Sequence, residues 1–282
     1  MLTHINHYFC PEKLEQAIKL LEKGKGEFVP LAGGTSLLLY KNEKIKGFIS
    51  LRKLKLDYII KSKTGLKVGA MTKIEDILQH PVSRAFARGL LYKACEKIGS
   101  TLNRNLITVG GNMVQTYIWS DLPVALLVLE TKVKTRKKRS TRSYPIHEFF
   151  KTHPKSWLGK DELVLEMEIK NPPKSVSCEF IKFSRTQVDR SLLDIAVYLD
   201  IKNNLFREVR IAYGGLKSLP FRAGELEIFL KNKKATPSTI MSCAQKAARL
   251  YPPSEDFRAS KDYKENLVRV LTERALKNAL LK

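Results

Sequence analysis

The sequence predicts an α+β protein with about two domains. Its 282 residues compare with roughly 150 residues in a typical domain. Hydrophobic residues make up 43% of the chain, which is enough for a sizeable core. Helix and strand patterns are mixed before the Pro172-Pro173 pair, whereas three strand patterns followed by helical ones fill the rest. We therefore expect a boundary here, with one domain over residues 1–172 and another over 173–282.

Apolar periodicity defines the elements of the first part. A helix is expected over residues 11–23, with Pro11 at its first position, because Leu14, Ala17, Ile18 and Leu21 recur at helical intervals. The other predicted elements are a strand over 28–32, strands in "GFISLRKL" and "GLKVGAMT", a helix from Ile74, mainly helix over 81–98, and a helix from Pro123 to about Glu130.

Beyond residue 160, a series of strands followed by amphipathic helices is expected. The segment 162–170 reads as a strand, and "CEFIKFSRT", "DIAVYLDIK" and "FREVRIAYGG" read as three antiparallel strands. Helices are expected from Thr236 to about Leu250 and from Ser260 to Leu281.

The formal net charge of +23 has several possible meanings. Nucleic acid, an anionic ligand, an acidic partner subunit or a lysine-rich proteome would each explain it. The densest run, residues 132–142, holds seven basic residues in eleven and alternates like a hairpin. No aromatic residues are interleaved as stacking platforms, so we favour an exposed hairpin tip over a nucleic-acid site. Docking on an acidic subunit remains open.

The cysteine pattern and the apolar runs indicate which metal sites and which cellular compartment to expect. The four cysteines are scattered without a C-x-x-C pair, so no metal or iron–sulfur site is expected in this chain. The N-terminus has no apolar leader core, and the longest apolar run, residues 122–129, is far shorter than the ~20 residues of a membrane span. We expect a cytoplasmic protein without a membrane span.

Glycine pairs are the most informative motifs. Gly33-Gly34, Gly110-Gly111 and Gly214-Gly215 each follow an apolar run and are predicted to end strands. Bare backbone at a strand end can bring N–H groups close to a phosphate, although a tight turn explains any single pair equally well. The sequence contains no G-x-G-x-x-G, P-loop or zincin motif, so a dinucleotide would need a different loop arrangement.

Three segments stand out in combination: "PLAGGTSLL" (30–38), "IGSTLNRNLITVGGNMVQTYIWSDLPVALLVLE" (98–130) and "DFRASKDYKENLVRVLTERAL" (256–276). They resemble the FAD-binding medium subunit of molybdenum hydroxylases, the xanthine dehydrogenase and carbon monoxide dehydrogenase flavoprotein family. "HYFCPEKLEQAIKLL" also resembles the family's opening helix. The likeness covers nearly the whole chain, and the combination of motifs makes it specific.

The resemblance implies a fold and a set of cofactor contacts. The fold is an FAD-binding domain of the vanillyl-alcohol-oxidase (PCMH) type, in two α/β subdomains of about 1–55 and 56–172 with FAD between them, then a smaller domain with a three-stranded antiparallel sheet and helices. The implied noncovalent FAD contacts are Leu31, Ala32, Gly33, Gly34, Thr35, Ser36, Thr108, Gly110, Gly111, Asn112, Asp121 and Lys182. Two alternatives stay open: Asp121 as an N-cap of the helix near Pro123, and Lys182 as a surface lysine.

The resemblance also implies a function in a heteromeric complex. Electrons would pass from a molybdopterin large subunit through a [2Fe–2S] small subunit to FAD, and then to NAD, a quinone or oxygen. Alone, the chain would be an incomplete oxidoreductase. The alternatives are a self-sufficient FAD oxidase and a basic nucleic-acid-binding protein.

The sequence departs from the family pattern at two places. Gln115, Tyr117 and Trp119 stand where the family usually has a small, proline-containing stretch. The spacing from Lys182 to Asp194 is longer than the commonest one.

Overall fold

The computed structural model describes residues 5–39 and 42–281. Met1–His4, on which the expectation of no leader partly rests, lie outside these ranges. Within them the strands are β1 (His7–Phe9), β2 (Phe28–Leu31), β3 (Gly47–Ser50), β4 (Ile59–Lys61), β5 (Gly65–Gly69), β6 (Lys132–Lys137), β7 (Ser140–Pro145), β8 (Glu162–Lys170), β9 (Val176–Phe183), β10 (Leu193–Lys202), β11 (Leu205–Gly214) and β12 (Phe221–Arg222).

The helices follow in the same order. They are α1 (Leu14–Gly24), α2 (Ile74–Gln79), α3 (Pro81–Ala85), α4 (Leu90–Glu96), α5 (Thr101–Arg104), α6 (Val109–Val114), α7 (Asp121–Val128), α8 (Ile146–Phe149), α9 (Pro154–Trp157), α10 (Gly224–Leu230), α11 (Pro237–Leu250) and α12 (Lys261–Leu280), with a 3-10 turn at Phe86–Gly89.

Contacts divide the chain into two compact units. The first unit comprises residues 1–77, 100–115 and 131–169, and the second comprises residues 78–99, 116–130 and 170–282. The chain therefore leaves each unit and returns to it. The division predicted at residue 172, and the two subdomains predicted before it, stay predictions.

The first unit contains two sheets. Strands β1, β3 and β2 form a parallel sheet in the order β1-β3-β2, and a five-stranded sheet has the order β4-β5-β8-β6-β7. Helix α1 buries Ala17, Ile18 and Leu21 in a cluster with Ile49 and Leu51. Full burial of each large aliphatic side chain contributes about 1.5–3 kcal/mol, so this apolar stripe fixes α1 in the unit.

The predicted start of α1 at Pro11 is wrong. The helix begins at Leu14, with Lys13 as an extended N-cap. The Gln16 side chain accepts hydrogen bonds from the backbone N–H groups of Glu12 (3.3 Å) and Lys13 (3.2 Å). These bonds satisfy donors that a helix start leaves unpaired, and they place the boundary three residues later.

The basic hairpin is confirmed. Strands β6 and β7 pair antiparallel from Lys132 opposite Pro145 to Lys137 opposite Ser140. Val133 and Thr135 are buried, whereas the basic side chains alternate outward. Lys134 lies 2.9 Å from Glu166, and Lys137 lies 3.1 Å from Asp161. Acids of the same unit therefore offset part of the hairpin's charge.

The second unit is built on one antiparallel sheet of order β12-β11-β10-β9. The three long strands are confirmed as predicted, and the two-residue β12 adds a fourth that the sequence did not indicate. Alternate residues of β10 and β11, including Ile195, Val197 and Ile211, share a core cluster with α11 and α12. The α+β character of the chain follows from these layers.

The helical segment predicted over 81–98 is interrupted. Ala87 and Arg88 have φ values of 51° and 56°, in the left-handed region. The Arg88 guanidinium donates to the carbonyl oxygens of Val176 (3.2 Å) and Lys174 (3.0 Å). Contacts distant in sequence therefore stabilise a backbone conformation that ordinary side chains rarely adopt.

A helix that crosses a bilayer needs about 20 predominantly apolar residues. Among residues 5–39 and 42–281, no helix is both long enough and apolar enough to cross a bilayer.

Candidate functional site

The first glycine segment lies at the end of β2 in the first unit. Leu31 ends the strand and accepts a hydrogen bond from Leu51 N–H (3.0 Å). Ala32 and Gly33 form a bend, Gly34 has a φ of 72°, and a turn begins at Thr35 and Ser36. Within the described residues, the backbone N–H groups of Gly33, Gly34 and Thr35 donate no hydrogen bond. Three consecutive half-buried donors are thus available, the arrangement that favours an anion.

Gly33 is required by a close backbone approach. A Cβ at this position would overlap the carbonyl oxygen of Leu106. The structure therefore places the first glycine segment against the start of the second, within the same unit. Any side chain at Gly33 would separate the two.

The second glycine segment is helical, so the prediction that Gly110 and Gly111 end a strand is wrong. Both lie in α6, whose N-cap is Thr108. Thr108 Oγ1 accepts from Gly111 N–H (3.2 Å), and Thr108 O accepts from Asn112 N–H (2.9 Å). Gly110 N–H donates to Ala70 O (2.8 Å). The capping threonine stabilises a helical turn where periodicity indicated a strand.

The two glycines of α6 differ in what surrounds them. A Cβ on Gly110 would lie 2.7 Å from Ala70 Cβ, so this glycine allows close packing. A Cβ on Gly111 would lie 2.9 Å from Thr108 Oγ1 and 4.0 Å from Ala32 Cβ. Beyond its own capping residue, Gly111 therefore faces open space beside the first glycine segment.

Asp121 and Lys182 form a buried ion pair in the second unit. Lys182 Nζ lies 3.2 Å from Asp121 Oδ2 and donates to Lys97 O at 2.7 Å. Only 3% of the lysine side chain and 5% of the aspartate side chain are exposed. The surface-lysine alternative is therefore wrong. Asp121 is not the N-cap either, because Ser120 takes that place and Asp121 is the first residue of α7.

Sequence reasoning missed Asp194, which joins this pair. Asp194 lies on β10 directly opposite Lys182 on β9, and it is fully buried. Ser191 Oγ donates to Asp194 Oδ2 at 2.7 Å. An aspartate inside the apolar run "SLLDIAV" was the available signal, because an acid on a buried strand needs a partner.

The two acids affect each other's protonation. Burial and the Asp194 carboxylate raise the pKa of Asp121 well above its usual range, against the opposing effect of Lys182. Burial raises the pKa of Asp194 to about 6, while Ser191 and Lys182 act in the opposite direction. Desolvation disfavours the charged form of both acids.

The segment 256–276, the third of the segments that resemble the family, contacts Ser191, the hydrogen-bond partner of Asp194. Arg258 Nη1 donates to Ser191 O at 2.7 Å, and Arg258 Nη2 lies 2.7 Å from Asp256 Oδ2. Lys264 Nζ lies 2.8 Å from the same oxygen of Asp256. Hydrogen bonds from Arg258 hold the pKa of Asp256 well below its usual range. The "RAS-x-x-Y" segment thus fixes Ser191, which in turn binds Asp194.

Gly214-Gly215 has a packing role. A Cβ on Gly214 would lie 2.8 Å from Val124 Cγ2 and 3.2 Å from Asp194 Oδ2. Gly215 has a φ of 88°, and its N–H donates to Ile118 O at 2.8 Å. This pair therefore allows β11 to pass close to α7 and the acid cluster.

The bulky residues that depart from the family pattern form a stack in the second unit. The rings of Tyr117 and Trp119 lie 5.1 Å apart and nearly parallel. The Arg190 guanidinium lies 4.5 Å above the Trp119 ring. These stacking and cation–π contacts fix the segment that leads into α7.

Comparisons with known proteins identify the family. Residues 3–172 match the profile described as the FAD binding domain in molybdopterin dehydrogenase, and residues 179–279 match the CO dehydrogenase flavoprotein C-terminal domain. The chain belongs to this family of FAD-binding molybdopterin dehydrogenase subunits. It is an oxidoreductase subunit, and the predicted fold class and FAD as its cofactor are confirmed.

Individual relatives align over nearly the full chain. The glyceraldehyde dehydrogenase medium chain of Sulfolobus acidocaldarius is 31% identical over 276 residues, 96% of each chain. A putative xanthine dehydrogenase FAD-binding subunit of Escherichia coli is 24% identical over 257 residues, 89% of this chain and 88% of the relative. The structure of carbon monoxide dehydrogenase from Hydrogenophaga pseudoflava, lacking the Mo-pyranopterin moiety of its cofactor, superposes with a TM-score of 0.93 at 24% identity, covering 100% of this chain and 99% of that one.

The residues of the glycine segments fit a pyrophosphate-bearing cofactor. Gly33, Gly34 and Thr35 offer backbone donors, and the missing side chain of Gly111 leaves room beside Ala32. A phosphate accepts hydrogen bonds without needing a specific side chain, so such a bare backbone surface suits it.

Proposed function

We propose that this chain is the electron-transfer subunit of a molybdenum hydroxylase complex. It holds FAD noncovalently. The FAD accepts electrons from a [2Fe–2S] partner subunit and passes them to NAD, a quinone or oxygen. The observation that carries this proposal is the run of unused N–H groups at Gly33, Gly34 and Thr35, in a chain of this family.

The chain's own residues bind and orient the cofactor in this proposal. The segment Leu31–Ser36 donates backbone hydrogen bonds to the pyrophosphate, with Thr108, Gly110, Gly111 and Asn112 completing its contacts. Asp121 and Lys182, which are buried and paired with each other, are assigned to the FAD contacts in this proposal because the family resemblance implies it. When bound, FAD supplies the redox chemistry, since a flavin exchanges electrons singly or in pairs.

Several observations favour an electron-relay subunit over a self-sufficient oxidase. An enzyme acting alone needs an acid or base beside the flavin. Two of the histidines serve as helix caps: His80 Nδ1 accepts from Val82 N–H, and His153 Nδ1 accepts from Lys155 N–H. The buried acids Asp121 and Asp194 are engaged by Lys182 and Ser191.

Partner subunits follow from the same reasoning. The relative from Sulfolobus acidocaldarius is named as a medium chain, which implies further chains in its complex. We infer that this chain assembles in a hetero-oligomer with an iron–sulfur small subunit and a molybdopterin large subunit. Nucleic acid is not a partner in this proposal, and the complex is cytoplasmic.

The isolated chain is expected to be unable to oxidise an organic substrate. In anaerobic stopped-flow, dithionite should bleach its flavin, whereas purines, aldehydes and carbon monoxide should not. Adding the iron–sulfur and molybdopterin subunits should make bleaching by the complex's own substrate fast. Rapid bleaching of the single chain by any of these substrates would instead establish a self-sufficient oxidase.

A further inference from the structure

The buried cluster of Asp121, Asp194 and Lys182 has an unequal number of charges. Two ionised carboxylates beside one ammonium group would leave one negative charge uncompensated. Asp194 is fully buried, and the Asp121 and Lys182 side chains are almost so. An uncompensated charge in such a place is strongly unfavourable, so a neutral cluster is expected.

The oxygen atoms show where a proton would lie. Asp121 Oδ2 pairs with Lys182 Nζ, and Asp194 Oδ2 accepts from Ser191 Oγ. The remaining oxygen of each acid, Oδ1, is buried and has no donor among the described residues. Each acid also influences the pKa of the other, which is expected of two carboxyl groups that share one buried site with Lys182. A hydrogen bond between two carboxyl groups requires a proton on one of them.

We propose that Asp121 and Asp194 share one proton at neutral pH, and that Asp194 is a positioning residue for Asp121 and Lys182. This inference rests on the proposed role of those two residues in binding FAD. With the shared proton, the acid pair carries one negative charge, which the Lys182 ammonium balances.

Among residues 5–39 and 42–281, the side chains that influence the pKa of the two acids are Lys182, Ser191 and the acids themselves. Helix α7 contributes Asp121, β9 contributes Lys182, and the turn before β10 contributes the Ser191 hydroxyl. On the other side, β11 presents Gly214 opposite Asp194. Arg258 reaches the cluster only through Ser191 O. The pH dependence proposed here therefore belongs to the acid pair.

The shared proton predicts how Asp194→Asn changes the pH dependence of FAD binding. The substitution removes one carboxyl group together with the shared proton, so the cluster remains neutral at pH 7. In the native protein, a rise in pH removes the proton and leaves a net negative charge beside an anionic cofactor. The Asn variant has no such step. Its FAD affinity should therefore match the native value near neutral pH. At alkaline pH, where the affinity of the native protein falls, the affinity of the variant should stay constant.

The proton itself is visible by infrared spectroscopy of the full chain labelled with ¹³C-aspartate. We expect a protonated-carboxyl C=O band at pH 7 that shifts in D₂O and disappears in both Asp194→Asn and Asp121→Asn. The matched control is Asp200→Asn, which changes another buried acid of β10, one that lies 2.9 Å from Arg207. This control should keep the band.

Two results would overturn the proposal: no such band in the native chain at pH 7, or a band that survives in both single variants. If one variant fails to fold, the other decides. FAD affinity measured against pH in the same proteins should weaken about tenfold in the native chain as the proton leaves, and stay flat in Asp194→Asn. Equal pH dependence in the two would also overturn the proposal.

These measurements distinguish failure of the shared proton from failure of the proposed FAD-binding function. A native chain that shows the band but binds no FAD contradicts the proposed function and leaves the shared proton intact. A chain that binds FAD without the band contradicts only the shared proton.

Discussion

Gly111→Val should weaken FAD binding about a hundredfold, roughly 2.7 kcal/mol, while the protein remains folded. The bare face of Gly111 is open beside Ala32, so the valine side chain would fill the space assigned to the cofactor. Gly111 is helical and is not among the described residues with positive φ, so the backbone tolerates a side chain. Displacing Thr108 from its capping position would cost about 1 kcal/mol. The measurements are FAD-to-protein ratio and circular dichroism.

Two other glycines serve as controls for this variant. Gly224→Val adds the same side chain at a helix start where an added Cβ meets no atom within 4 Å beyond its chain neighbours and its own helix backbone, so neither FAD content nor folding should change. Gly33→Ala should unfold the first unit, because its Cβ would overlap Leu106 O. Full FAD occupancy in Gly111→Val would show that this segment does not contact the cofactor.

Lys182→Met should destabilise the protein by about 3–5 kcal/mol at neutral pH, because it leaves the acid pair buried without its cation. Loss of the cation raises the pKa of both acids further in the folded state. The folded state then binds more protons than the unfolded state, so stability is greatest at low pH and falls as pH rises through the folded pKa values. The deficit relative to the native protein should therefore grow between about pH 4 and neutral pH. Chemical unfolding across this range measures it.

A surface lysine and a double variant test the cause of this loss. Lys97→Met removes a partly exposed lysine whose Nζ lies 3.3 Å from Glu96, and it should change stability by less than about 0.5 kcal/mol. Adding Asp121→Asn to Lys182→Met should recover much of the lost stability, since one buried acid is removed. A pH-independent deficit would contradict the assignment of Lys182 as the partner of the acids.

Local patterns predicted the elements whose partners are close in sequence. The β6–β7 hairpin followed from alternation around Val133 and Thr135, and β9, β10 and β11 followed from apolar runs. The wrong predictions of helices and strands occurred where one side chain determines the local backbone against the apolar periodicity. Gln16 delays the start of α1, and Thr108 turns a β-branched run into a helix.

The candidate site was predictable only in part. The glycine pairs were visible in the sequence as motifs, and the assignment of these segments, Asp121 and Lys182 to FAD came from resemblance to a family. The burial of Asp121 and Lys182 depends on packing between distant segments. Lys182 is 61 residues from Asp121 in sequence, and no local pattern indicates their contact. Asp194 was missed because its partners, Lys182 and Asp121, lie on other elements.

Acid precipitation of the purified chain tests the central claim that it holds FAD noncovalently. We expect a yellow native protein whose entire flavin appears in the supernatant as FAD, at about one FAD per chain, with a colourless pellet. A native protein without flavin, or a pellet that retains the colour, would contradict the claim.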